Sequence, residues 1–301
     1  MKTPPYLKPG DTIGIVSPAK IIKREIVENA VRLLEKRGFK VKPGAHVFDG
    51  EHYFAGTDEE RAADFQLMLD DGEVKMILCS RGGYGAVRIL DNLDFTGFRQ
   101  NPKWVAGYSD ITIFHSHLNI LGYESLHAEM PLNFPESDQT NSAIETLLTA
   151  ATGGHLSYEI VENPLNRQGI CEGALVGGNL TLLISLLGSP SALSTDGKIL
   201  FIEEVGEKLY HIDRMMLTLK RAGKFDKLAG LIVGALNDMT ESDLEFGKTA
   251  EEIVFEAVSE YNFPVCFGFP AGHVPDNRAL IFGRHTRLEV GKSVKIDFIR
   301  K

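Results

Sequence analysis

The sequence predicts an α/β protein with an N-terminal, mostly parallel sheet flanked by helices, followed by a second mixed α/β, strand-rich unit. Three observations carry this prediction. Short apolar runs alternate with segments of helical period in the first half, and that alternation implies parallel strands with helices on both faces. A polar, turn-rich stretch then interrupts the pattern. Beyond it the alternation restarts and ends on two closely spaced strand-like runs. At 301 residues the chain can bury one large core or two ordinary ones.

The elements follow in order. Residues 12–16 read as a short buried strand, ended by Ser17-Pro18. Ile22, Ile26, Ala30 and Leu33 recur at helical spacing, and Gly38 follows as a C-cap. A strand starts at residues 39–41, and residues 58–69 form a helix with Ala62, Phe65 and Leu69 on one face. Residues 74–78 are a strand, followed by a glycine-rich turn and a helix from Ala86; residues 104–108 are a strand, followed by a helix over 110–121. A short helix over 143–151 leads into Gly153-Gly154 and the turn-rich 163–169. Beyond these, residues 179–187 read as helix, 199–203 as strand, 210–222 as amphipathic helix, 231–233 as strand and 250–261 as helix. Residues 287–290 and 294–298 form a terminal hairpin. The expected division is an N-terminal domain over 1–155, a linker over 156–169 and a C-terminal domain over 170–301.

Composition narrows the function classes. Hydrophobic residues make up 43% and charged residues 24%, ordinary for a soluble globular protein. A formal net charge of -9 argues against a general nucleic-acid partner, because phosphate binding needs clustered Lys and Arg. The start lacks the apolar core of a signal peptide, and the first apolar run is far too short to span a bilayer. The expectation is a cytoplasmic protein without a membrane partner. Cys79, Cys171 and Cys266 are few, odd in number and widely spaced, so they suggest buried thiols rather than disulfides or a zinc site.

Three separated segments each place a reactive side chain at the end of a strand-like run: Gly107-Tyr-Ser109-Asp110, Phe201-Ile-Glu203-Glu204 and Gly272-His273. A nucleophile, an acid and a histidine in that order form a Ser–Glu–His set defined by spatial role, so wide separation is no objection. Ser109 sits between a strand and a helix, where a side chain is exposed and fresh helical N–H groups lie beside it. The alternative for Ser109 is a helix N-cap. Position 111 is Ile, so the G-x-S-x-G elbow is absent. His115 and His117 point to different faces of one helix and suit packing. Glu203 and Glu204 face opposite sides of their strand, so they cannot both serve; Glu204 and Glu207 suit a structural ion pair, for example with Arg214. Ser80-Arg81-Gly82-Gly83-Tyr84-Gly85 follows a strand and lets the backbone approach a ligand, but it matches no phosphate-loop pattern. Gly177-Gly178-Asn179 and Asp276-Asn277-Arg278 are polar loop segments suited to substrate contact; Asn179 equally suits an N-cap, and Arg278 a surface position. A Cys79 nucleophile is disfavoured, because no His lies near it in sequence.

These segments, with Phe54-Ala-Gly-Thr-Asp-Glu-Glu-Arg61, closely resemble the LD-carboxypeptidase family of serine peptidases from about Gly10 to about Val290, with the motifs in family order. That family includes muropeptide LD-carboxypeptidases and immunity peptidases that cleave microcin C. The resemblance implies Ser109 as nucleophile, His273 as general base and Glu203 as triad acid. It makes the Ser80 to Gly85 turn a wall of the oxyanion hole, with the N–H groups of Gly83 and Asp110 as donors. Arg81, Asn179 and Arg278 are the substrate-binding candidates. The implied reaction removes a terminal D-amino acid from an L-configured residue of a murein peptide, without metal or cofactor, in a homodimer with its site between two domains. An aminoacyl-nucleotide amide is the rival substrate, and a non-enzymatic peptide-binding protein the rival class.

Overall fold

The structure is a computed structural model that describes residues 1–50, 52–137 and 140–300; Lys301, the last residue of the expected C-terminal domain, lies outside the described residues. The first half contains β1 (Thr12–Val16), α1 (Arg24–Lys36), β2 (Lys40–Pro43), α2 (Asp58–Asp70), β3 (Val74–Cys79), α3 (Ala86–Leu90), α4 (Thr96–Gln100), β4 (Trp104–Gly107), α5 (Thr112–Leu121), β5 (Ser125–His127) and α6 (Ser142–Ala151). The second half contains β6 (Ser157–Val161), β7 (Gly169–Asn179), α7 (Leu180–Ser185), β8 (Ile199–Val205), α8 (Leu209–Arg221), β9 (Gly230–Asn237), α9 (Ala250–Ala257), β10 (Val265–Cys266), β11 (Leu280–Phe282), β12 (His285–Val290) and β13 (Ser293–Phe298).

The first sheet runs β11-β5-β4-β3-β1-β2. All its pairs are parallel except β11 with β5. β3 and β4 are apolar on both faces because both faces are covered. α1 and α6 pack Leu33, Leu34, Ile144 and Leu147 on one side, and α2 and α5 pack Phe65, Met68, Phe114 and Leu118 on the other. The N-terminus of α2 is fixed by a capping box between Thr57 and Glu60.

The second sheet runs β10-β9-β8-β7-β12-β13-β6. Its first four strands are parallel and its last three antiparallel, which gives the mixed character expected. α7, α8 and α9 cover the parallel half through Leu183, Ile212, Met216 and Ile253. The other face shares a core with the first sheet, where Phe201 and Ile232 join Leu126 and Phe282.

Several elements differ from the sequence reading. Gly177 and Gly178 lie inside β7 rather than in a loop. Residues 157–161, read as linker, form the edge strand β6 beside β13. β5 and β11 went unread, since three-residue strands carry no measurable period. The helix expected from Asp110 begins as a 3-10 turn over Ser109–Ile111 and becomes α5 at Thr112. Among the described residues, no helix is long and apolar enough to cross a membrane.

Candidate active site

The carboxyl ends of parallel strands in both sheets converge on one place, as open α/β sheets arrange their sites. β4 delivers Ser109, β8 delivers Glu203, and the loop after β10 delivers His273. Ser109 has φ +65°, a left-handed conformation rare for a residue with a side chain. Ser109 is the first residue of the turn rather than its cap, which is Tyr108; the Ser109 hydroxyl turns to His273 instead. It lies 3.2 Å from His273 Nε2. On the other edge of the ring, His273 Nδ1 lies 2.7 Å from Oε2 of Glu203, which is fully buried. With Glu203 ionised, Nδ1–H donates to it, and Nε2 is left to accept the proton of the Ser109 hydroxyl.

Burial alone would lower the His273 pKa. The Glu203 hydrogen bond and charge, helped by the charges of Glu204 and Glu129, outweigh burial and hold it above the usual histidine value. The backbone of the histidine loop is fixed as well. Gly272 N–H donates to Asn277 Oδ1 at 2.9 Å, and Asn237 Nδ2 donates to the His273 carbonyl at 2.7 Å. Gly272 has φ +106°, and a Cβ there would lie 2.7 Å from Glu203 Oε2, so only glycine lets the loop come this close to the carboxylate.

The glycine-rich loop after β3 faces Ser109 from the first sheet. Gly82 makes the closest approach: a Cβ there would sit 2.8 Å from Ser109 Cβ and 3.2 Å from the Asp110 nitrogen. Gly83 follows it, facing Lys20 and the Tyr53 hydroxyl. The Asp110 side chain is buried and turned from the hydroxyl; its Oδ2 accepts from Ala86 N–H at 2.8 Å. Burial raises this carboxyl to about 6, against the Ala86 hydrogen bond and the charge of Arg61. Arg61 in turn donates to the carbonyls of Pro18 and Gly85 at 2.6 and 3.1 Å. The loop is thereby held at its Gly85 end by two charged side chains.

The remaining candidates have varied surroundings. Glu204 leaves β8 away from His273 and accepts from Asn179 Nδ2, Thr181 N–H and Val205 N–H at 2.8, 2.7 and 2.9 Å. Its partner is therefore the start of α7 and not Arg214, whose guanidinium lies over the Tyr210 ring; Glu207 pairs with His211. Asn179 is the N-cap of α7, and its Oδ1 accepts from Leu182 N–H. Arg81 donates to the carbonyls of Ile21 and Gly82 and lines a cavity of about 630 Å³ with Arg24 and Phe48. Arg278 pairs with Asp276. His115 is buried between Ser125 Oγ and the Gly107 carbonyl and is pushed down to about 4 by burial, and His117 meets Ser191 Oγ, so both pack as expected. Among the described residues, His46, Asp49 and Glu60 group their ligand atoms closely enough for a metal, but His46 Nδ1 is already engaged by Asp49 and Glu60 Oε2 by the Thr57 amide.

Sequence reasoning missed two neighbours of His273. The Tyr108 ring stands edge-on to the imidazole with centroids 5.0 Å apart. Glu129, buried just past β5, is close enough for its charge to act on the same ring. The available signal was an acidic residue set between the apolar Ala128 and Met130, where a buried carboxylate requires partners.

Comparison with known proteins matches the chain to two family models. Residues 13–128 match the LD-carboxypeptidase N-terminal domain, and residues 172–288 match the LD-carboxypeptidase C-terminal domain. A probable murein peptide carboxypeptidase of Bacillus subtilis is 34% identical over 97% of this chain and 93% of its own length. The microcin C7 self-immunity protein MccF of Escherichia coli is 28% identical over 97% of this chain and 92% of its own. The crystal structure of a muramoyltetrapeptide carboxypeptidase from Oxalobacter formigenes superposes with a TM-score of 0.88 at 28% identity, covering 96% of this chain and 99% of that one.

Proposed function

The chain belongs to the LD-carboxypeptidase family of serine peptidases, and from that premise we propose that it removes a terminal D-amino acid from an L-configured residue of a murein peptide, using Ser109, His273 and Glu203. The hydrogen-bonded series from Ser109 through His273 to buried Glu203 carries this reading. Ser109 Oγ attacks the amide carbonyl while His273 Nε2 takes its proton. Glu203 stabilises the imidazolium that forms. The oxyanion is met by the N–H groups of Gly83 and Asp110, each worth on the order of 100- to 1000-fold in rate. His273 returns the proton to the leaving amine, the D-amino acid departs, and a water activated by the same histidine hydrolyses the acyl-enzyme. The same reading makes the protein a cytoplasmic homodimer without cofactor, in which 1–155 supplies the nucleophile and 170–301 the acid and base.

One observation favours a second substrate. Tyr53 and Tyr84 expose their rings beside Gly83, and the Lys20 ammonium lies over the Tyr53 ring. Such rings suit stacking with a nucleobase, as an aminoacyl-nucleotide amide would require. The test is incubation with a purified murein tetrapeptide ending in D-alanine and, separately, with an aminoacyl-sulfamoyl nucleoside, followed by mass analysis. Release of D-alanine supports the first reading. Cleavage of the nucleoside substrate alone overturns it in favour of the second.

A further inference from the structure

Glu129 is a buried carboxylate that the reaction above does not use. Only 1% of it is exposed. Its Oε1 accepts from Met130 N–H at 3.0 Å and from Asn133 Nδ2 at 2.9 Å. The same Asn133 amide donates to the Tyr108 hydroxyl at 2.9 Å, and the Tyr108 ring packs against the His273 imidazole. One short path therefore leads from the carboxylate to the imidazole ring, through Asn133 and Tyr108.

We propose that Glu129 is a positioning residue for His273, fixing the imidazole through Asn133 and Tyr108 and adding a second negative charge beside it. The inference rests on His273 being the general base. A group that only filled space here would not be a carboxylate, because burying one is costly. Burial raises Glu129 to about 7, against its hydrogen bonds from Met130 and Asn133 and the His273 charge. It therefore gains its charge in the range where histidine loses its proton. The other titratable groups around this pair are few. Glu203 and Glu204 act on His273 from β8. Tyr108 is pushed upward by burial, with the Glu129 and Glu203 charges adding to that effect and Arg81 opposing it. His127, at the end of β5, is held neutral by burial.

The experiment is a pH–rate profile of Glu129→Gln on the murein tetrapeptide, with Glu129→Asp beside it. In Glu129→Gln the acid limb should move to lower pH, kcat should fall about 10-fold and KM should change less than about twofold, since the loss is in the catalytic step. Glu129→Asp keeps the charge and should return the limb toward its original position. An unchanged limb with unchanged kcat in Glu129→Gln overturns the proposal. Should Glu129→Gln fail to fold, Asn133→Ala at an exposed position removes the link to Tyr108; its limb should move the same way by less, and an unchanged profile again overturns the proposal. Ser109→Ala separates the two readings. If Ser109→Ala stays active, the triad reading fails; if it is inactive while Glu129→Gln behaves as wild type, only the role of Glu129 fails.

Discussion

Glu203 and Glu204 are neighbours in β8, yet one carboxylate meets His273 and the other meets the first turn of α7. A strand sends successive side chains to opposite faces, so two adjacent acids serve two different ends. Glu203→Gln should cut kcat sharply and lower the apparent pKa of the acid limb. The sign follows from the raised His273 value: the neighbouring charge favours the protonated ring, and its removal lets the proton leave at lower pH. Glu204→Gln should lose far less activity and should instead cost about 1–3 kcal/mol of stability, because it disturbs a buried acceptor with three donors. Rate profiles and thermal unfolding of both variants decide the matter. Equal activity losses would mean that the triad acid is not Glu203.

Ser109→Ala should abolish turnover and covalent labelling by a serine-directed phosphonate. Ser109→Gly should be equally inactive yet more stable than Ser109→Ala by about 1 kcal/mol, since glycine takes a positive φ without the Cβ clash. Paired thermal melts test this. Identical stabilities would mean that the turn relaxes in the variants.

Gly82→Ala should reduce activity by more than about 100-fold while the protein still folds. The added methyl would meet Ser109 Cβ and Oγ at 2.8 and 2.9 Å, and a misplacement of this kind near the reacting atom carries such a cost. Activity within tenfold of wild type would show that the loop yields easily.

Thiol reagents and EDTA should leave the activity intact. The proposed nucleophile is an oxygen activated by a histidine. The thiols are poor nucleophiles: burial pushes Cys171 up to about 11 and Cys266 up to about 12, and raises Cys79 as well. Loss of activity on chelation, restored by added metal, would overturn the mechanism.

Much of this architecture is legible in the sequence because buried parallel strands are continuous apolar runs. Val74 to Leu78 and Ile199 to Ile202 could hardly be anything else. β7 was not legible, because Gly169, Gly173, Gly177 and Gly178 break up its apolar residues and leave neither a continuous apolar run nor a clear alternation. The positive φ of Ser109 leaves no trace in composition. The partners of Glu204 were misjudged because an intervening helix start, rather than a basic side chain, supplies its donors. Glu129 was missed because one of its donors is a backbone N–H, that of Met130, and the other, Asn133, lies four residues on.

The antiparallel pairing of β11 with β5 has a consequence for biosynthesis. The first sheet borrows its last strand from residues near the C-terminus, and beside that joint Arg284 forms a buried two-pronged ion pair with Glu124 at 2.7 and 2.6 Å. A ribosome releasing the first half delivers a sheet with one rim unpaired and an acid without its counterion. That rim stays open to other nascent chains until most of the remaining residues have emerged. A fragment ending near residue 155 would inherit the same exposed rim permanently, and co-expression of the missing segment would be the way to close it.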